Sequence, residues 1–117
     1  MKKIIYTTDY SDNSISALKY TYALSRLLKA VVIVLHIFKE QPEPEIELIS
    51  DEKLIVQNHK DRIRNFCSLH LKQDFDNLNF SAAAVKGTDV SREILRFVRD
   101  IDVSMLVMGA CGPANLK

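Results

Sequence analysis

Apolar residues along this chain fall into two alternating kinds of run, short continuous blocks and longer stretches repeating every three or four positions. Lys3 to Thr7 is a short β-branched and aromatic block and predicts a strand. Ser11-Asp12-Asn13-Ser14 then offers helix N-caps. Ile15, Leu18 and Tyr22, with Ala17, Leu24 and Leu28 half a turn round, predict a helix ending near Lys29. Val31 to Phe38 is almost unbroken apolar sequence, the mark of a strand covered on both faces.

Glu40 to Glu47 carries Pro42, Pro44 and four glutamates and predicts a solvated connector. From about Ile49, the positions Ile49, Val56, Ile63, Phe66 and His70 predict a second helix of some twenty residues. Leu78 to Val85 alternates weakly and predicts a third strand ended by Gly87. Thr88 or Asp89 can cap a third helix, whose stripe is Val90, Ile94, Phe97, Val98 and Ile101. Val103 to Met108 predicts a fourth strand.

The resulting order, β-α-β-α-β-α-β, implies parallel strands joined by right-handed crossovers. The expected fold is α/β: one open, doubly wound, Rossmann-like parallel sheet with strand order 3-2-1-4, in one domain spanning residues 1–117. In such a sheet ligands bind beyond the carboxyl ends of the strands, where the strand order reverses. The turns after strands 1 and 4 would then share one crevice. They carry Thr7-Thr8-Asp9-Tyr10-Ser11 and Gly109-Ala110-Cys111-Gly112.

Each motif has an ordinary explanation. Glycines after a strand commonly serve a turn. Gly109 and Gly112 also leave N–H groups uncovered, as an anion nest needs. Asp9 either caps the first helix or accepts hydrogen bonds from ribose hydroxyls or a phosphate-bound metal.

Composition narrows the function classes. Net charge is +1 with no block of Lys or Arg, so nothing here neutralises a nucleic-acid backbone. The longest apolar run, Ala30 to Leu35, is too short to span a bilayer, and the first residues lack a signal-peptide core. A cytoplasmic protein with two reduced thiols, Cys67 and Cys111, is expected. His36, inside the second strand, reads as a core or rim histidine. His59 and His70 lie about three helical turns apart, too far to share a metal. Cys67 and His70, three apart, supply only two zinc ligands. No acid ends the third strand, as a phospho-receiver would require, and Thr7 to Ser14 is not the SGGxDS-like loop of an ATP-pyrophosphatase. No catalytic residue is assigned.

Taken together, the motifs resemble the universal stress protein family, within the adenine-nucleotide α-hydrolase-like superfamily. Lys2 to Ser11 is similar to a "KKILxPTDFS" opening, Ala17 to Tyr20 to "ALKYA", and Leu35-His36-Ile37 to "LHV". Val107 to Gly112 is similar to "VMGxHG", and Asn115-Leu116-Lys117 continues that pattern. The resemblance implies a module that binds ATP or AMP, with magnesium accompanying a triphosphate, in stress response or signalling. By resemblance, Thr7, Thr8 and Asp9 border the adenosine and its ribose, and the backbone of Ile37 meets the adenine edge. Met108, Gly109 and Gly112 floor the ribose and phosphates.

Three departures qualify the likeness. Thr7 stands where the family usually has proline. Pro113 follows the second glycine and supplies neither N–H nor charge. The family motif G-x2-G-x9-G-[S/T] would place its third glycine at position 122, past Lys117. The expectation is a domain cut before its fifth strand and last helix, alone or as half of a tandem. Its fourth strand would be covered by another copy, giving a homodimer. A nucleotide-free interaction protein of the same fold is the alternative.

Overall fold

The computed structural model describes residues 2–39 and 52–109. In chain order it forms β1 (Lys3–Thr8), α1 (Asp12–Leu28), β2 (Val31–Phe38), α2 (Glu52–Leu71), a 3-10 turn (Phe75–Asn77), β3 (Phe80–Lys86), α3 (Val90–Arg99) and β4 (Met105–Gly109). The four strands make one sheet in the order β3-β2-β1-β4, every pairing parallel. This is the expected α/β doubly wound sheet. The connector from Glu40 and the position of Ile49 lie outside the described residues.

Side-chain alternation divides the core between the two faces of the sheet. Ile4, Tyr6, Val32 and Val34 face α1 and α2, where they meet Leu18, Ile63 and Cys67. Ile5 and Leu35 face α3 and meet Ile94. The strand that reads as continuously apolar, β2, therefore supplies both cores, as burial on two faces requires.

Helix α1 differs from its apolar pattern. Its innermost residues are Ser14, Leu18, Thr21 and Ser25; Ile15 and Tyr22 are only half-buried. Three of the four are hydroxyl residues, and each is satisfied locally. Thr21 Oγ1 donates to the Ala17 carbonyl (2.7 Å) and Ser25 Oγ to the Tyr22 carbonyl (2.8 Å). A small side chain that bonds its own helix can lie against a sheet without leaving an unmet polar group.

Two further boundaries shift. The 3-10 turn ahead of β3 carries Phe75, which is buried in the larger core. Its amide bonds to Ser68 Oγ (3.0 Å), tying the turn to α2. Strand β4 begins at Met105, two residues later than its apolar run, because Val103 packs instead with the α3 core. Asp89, and not Thr88, caps α3, accepting from the Arg92 amide (3.2 Å). Val90, expected in the α3 stripe, is 45% exposed. Among the described residues no helix is long and apolar enough to cross a membrane.

Candidate functional site

The pairing of β1 with β4 brings the two sequence motifs together. Thr7 lies opposite Met108 and Thr8 opposite Gly109. On the other side of β1, Thr7 lies opposite Leu35, so Ile37 sits two residues further toward the carboxyl ends. Thr7, Thr8, Ile37, Met108 and Gly109 thus gather at one end of the sheet, with Asp9 immediately after β1. Gly112 lies outside the described residues, as does Cys111.

Alternation separates these residues by face. Thr7 follows the parity of Ile5, and Ile37 that of Leu35, both in the α3 core. Val107 packs in the other core, which places Met108 on the α3 face, 51% exposed. Thr8 belongs to the opposite face, and its hydroxyl is engaged there. Thr8 Oγ1 accepts from the Tyr10 amide (3.0 Å) and makes a short contact with Ser14 Oγ. Tyr6 completes the group: its hydroxyl lies 2.5 Å from the Ser14 carbonyl, to which it donates, and 2.8 Å from Ser14 Oγ. A buried chain of hydroxyls therefore pins the first turn of α1 beneath the end of β1. Burial raises the Tyr6 pKa, which keeps the phenol protonated as the donor.

Gly109 is held at this seam by space. A Cβ built there would lie 2.9 Å from both Cα and Oγ of Ser14 and 3.1 Å from the Thr7 carbonyl oxygen. The obstacles include backbone atoms, which cannot swing aside. Ser11 closes the junction from above. It caps α1 by accepting from the Ser14 amide (3.2 Å), and its own hydroxyl donates to the Gly109 carbonyl (3.4 Å). Asp9 is therefore not the cap of α1. It is exposed, and its carboxylate accepts from the Ser11 amide (3.0 Å) in a tight turn.

Behind the turn stands an aromatic cluster that the sequence reading did not assemble. Tyr10 has φ 66°, a left-handed backbone that aims its ring inward. The ring meets His36 (centroids 4.8 Å) and Phe66 (5.1 Å), and the Arg62 guanidinium lies 4.2 Å above it. Burial raises the Tyr10 phenol to about 12, opposed by the Arg62 charge. His36 lies with its Nδ1 2.8 Å from the Thr8 carbonyl, so that nitrogen carries the proton and donates. Burial lowers its pKa; the carbonyl bond opposes this, Arg62 adds to it, and Asp9 opposes it. His59 stacks on Phe38 at 4.0 Å and lies 5.9 Å from the His36 ring. Its pKa is lowered by burial, then by His36 and Arg62.

The remaining candidates sit elsewhere. Cys67 is buried in the α1–α2 core, where burial pushes its thiol to about 12. The His70 ring packs edge-on against Phe66 (4.9 Å). Among the described residues no three His, Cys, Asp or Glu side chains converge as a metal site would need. The serines could have been found from sequence: Ser14, Thr21 and Ser25 share a helical stripe with Leu18. The meeting of Arg62 with Tyr10, and of His59 with His36 and Phe38, carries no such signal, because the contacts join different elements.

An open parallel sheet with helices on both faces, in which the carboxyl ends of β1 and β4 lie side by side at the strand-order reversal, defines a Rossmann-like α/β domain. A model of the Universal stress protein family matches residues 1–117, and the chain belongs to that family. Universal stress protein MJ0577 of Methanocaldococcus jannaschii is 27% identical over 130 residues, covering 99% of this chain and 80% of its own. The solved structure of MJ0577 superposes with a TM-score of 0.62 at 29% identity, over 99% of this chain and 79% of that one. The universal stress protein of Archaeoglobus fulgidus in complex with dAMP shares the fold at a TM-score of 0.61 and 17% identity, covering 92% and 80%. A universal stress protein in complex with cAMP shares it at 0.57 and 14%, covering 90% and 73%.

Proposed function

We propose that this chain binds an adenine nucleotide, AMP or ATP, at the carboxyl ends of β1 and β4, as a module of stress response or signalling. The observation that carries the proposal is the register that sets Thr8 beside Gly109, at the end of β1 where the Asp9 turn begins. The nucleotide complexes of two proteins of this fold, with dAMP and with cAMP, support the ligand class. Asp9 accepts from the ribose hydroxyls. Thr7, Ile37 and Met108 line the α3 face of the crevice for the adenosine. Thr8 contributes main chain, since its hydroxyl is bonded beneath the turn. Gly109, with Gly112, leaves main-chain N–H groups for the phosphates. Magnesium accompanies the nucleotide when it is a triphosphate. The domain spans residues 1–117 and acts in the cytoplasm.

Calorimetric titration with AMP and with ATP tests this. Heat of binding is expected with AMP, and Asp9→Ala is expected to cost about 1.5–3 kcal/mol, roughly ten- to a hundredfold in affinity. No heat and no thermal shift with either nucleotide at millimolar concentration overturns the proposal.

A second role rests on a different observation. Strand β4 is one of the two outer strands of the described sheet, and its Met105, Leu106 and Met108 are 37%, 39% and 51% exposed. An outer strand with apolar side chains invites pairing, either with a second copy of the chain or with a tandem domain. A nucleotide-free interaction protein would use the same edge. Nucleotide released on denaturing the purified protein, read by absorbance, separates the two functions. A monomer in sedimentation across micromolar concentrations removes the homodimer.

A further inference from the structure

At the opposite end of the sheet, a groove of about 410 Å³ runs between the end of α1 and the segment leading into β3. Its floor is apolar, made by Ala30, Leu78 and Phe80. Its rim is polar and carries Tyr22, Arg26, Lys29, Gln73, Asn77 and Asn79. No carboxylate lines it, while two cations and three amides do.

The polar groups converge on one atom. The Tyr22 hydroxyl oxygen accepts from Arg26 Nη1 (2.9 Å) and from Gln73 Nε2 (2.6 Å). With that oxygen taken by two donors, the phenolic O–H remains available as a donor itself. Those two bonds, Gln73 before Arg26, lower the Tyr22 pKa. The Tyr22 ring lies 6.4 Å from Phe80, so an aromatic wall stands next to the donors.

A cation at a helix end often serves the helix itself. Here two of the nearby carbonyls are already met. The Ser25 carbonyl receives the amides of Lys29 and Ala30, and the Tyr22 carbonyl receives Ser25 Oγ. Among the described residues neither Arg26 nor Lys29 is paired with a carboxylate. Two cations, spare amide N–H groups and a phenol O–H rim an apolar floor, in a volume typical of small-molecule sites.

We infer that this groove binds a small organic anion, a phosphate or carboxylate head on a flat apolar body. Arg26, Lys29 and the Tyr22 O–H take the head, and Phe80 and Leu78 take the body. The site is remote from the β1–β4 crevice and does not depend on nucleotide binding there.

Titration of the ¹⁵N-labelled full chain with phenyl phosphate, followed by amide shifts, tests it. Saturable shifts are expected at Tyr22, Arg26, Lys29, Gln73 and Phe80. Inorganic phosphate is expected to bind more weakly than phenyl phosphate, since it leaves the floor bare, and benzoate reports whether a carboxylate head suffices. R26Q/K29Q is expected to weaken phenyl phosphate about tenfold or more while the thermal midpoint stays close to that of the parent. If that variant does not fold, Tyr22→Phe, which removes only the hydroxyl, is expected to weaken binding as well. Absence of groove shifts at millimolar ligand overturns the inference. So do shifts confined to Thr8 and Gly109, affinity unchanged in a folded variant, or groove shifts that follow protein concentration without ligand, which would make the groove a self-contact.

Discussion

The two faces of the sheet are built unequally. On the α1–α2 face, Ile4, Tyr6, Val32 and Val34 meet Leu18, Ile63 and Cys67, all fully buried. On the α3 face, the buried apolar residues among those described are Ile5, Leu35 and Ile94, and Ile33, Ile37, Val85 and Phe97 around them are partly exposed. Among the described residues two helices cover the first face and one short helix the second. The thick face also holds the hydroxyl chain of Tyr6, Thr8 and Ser14 and the ring cluster around Tyr10. The thin face carries Thr7, Ile37 and Met108. One side of the same strands therefore anchors the turn after β1, while the described residues cover the other side less completely.

Core truncation gives the largest contrast. Ile63→Ala should cost about 2–5 kcal/mol in chemical denaturation, since its neighbours are fixed on every side. Ile94→Ala, the matching change on the thin face, should fall at or below the low end of that range, because its half-exposed neighbours can close in. Equal losses would mean that the second face is as rigid as the first.

Glycine replacement sharpens the role of the seam. Gly109→Val should cost about 1–3 kcal/mol, because the new side chain meets Ser14 backbone. At Gly87 the three atoms nearest a Cβ all belong to the Glu93 side chain, with no backbone among them, and a change of rotamer can move them. Gly87→Ala should therefore be milder, with AMP affinity retained; a larger loss at Gly87 would place the tight junction at the wrong strand.

Helix capping comes next. Asp89→Ala removes the α3 cap and should cost about 1 kcal/mol in thermal or urea unfolding, without moving the Tyr10 cluster. The smallest expected effect is a pH dependence confined to the thick face. His36 and His59 both titrate below their ordinary 6.5 in the folded chain. The unfolded chain then binds more protons in that window, so their stabilisation is complete above pH 6.5 and is lost as pH falls from there through the folded values. The groups facing them are Asp9, Arg62, Tyr10 and each other. Thermal midpoints from neutral pH down to pH 6 should fall less in a His36→Asn, His59→Asn variant; identical slopes would remove both histidines from the account.

Much of this architecture was legible in the residues alone. The unbroken apolar run of β2, the cap residues before α1 and α3, and the alternation of element types all follow from local periodicity. The strand order followed from that alternation together with the usual winding of doubly wound sheets, outward from the first strand and then back to its other side. The inward stripe of α1 was legible in part: Leu18 is buried and Ala17, Leu24 and Leu28 pack against the core, but Ser14, Thr21 and Ser25 are polar by composition yet buried through bonds to nearby carbonyls and hydroxyls.

Local pattern specified which residues form strands and helices, and that the turns after β1 and β4 hold the polar and glycine chemistry. Tertiary packing alone decided that Ser14 lies against Gly109, that the Ser11 hydroxyl reaches the Gly109 carbonyl, and that His36, His59, Arg62 and Tyr10 share one cluster. The reason is physical. Periodicity reports a residue's own backbone environment, whereas these contacts join segments far apart in the chain and exist only once the sheet has set their register.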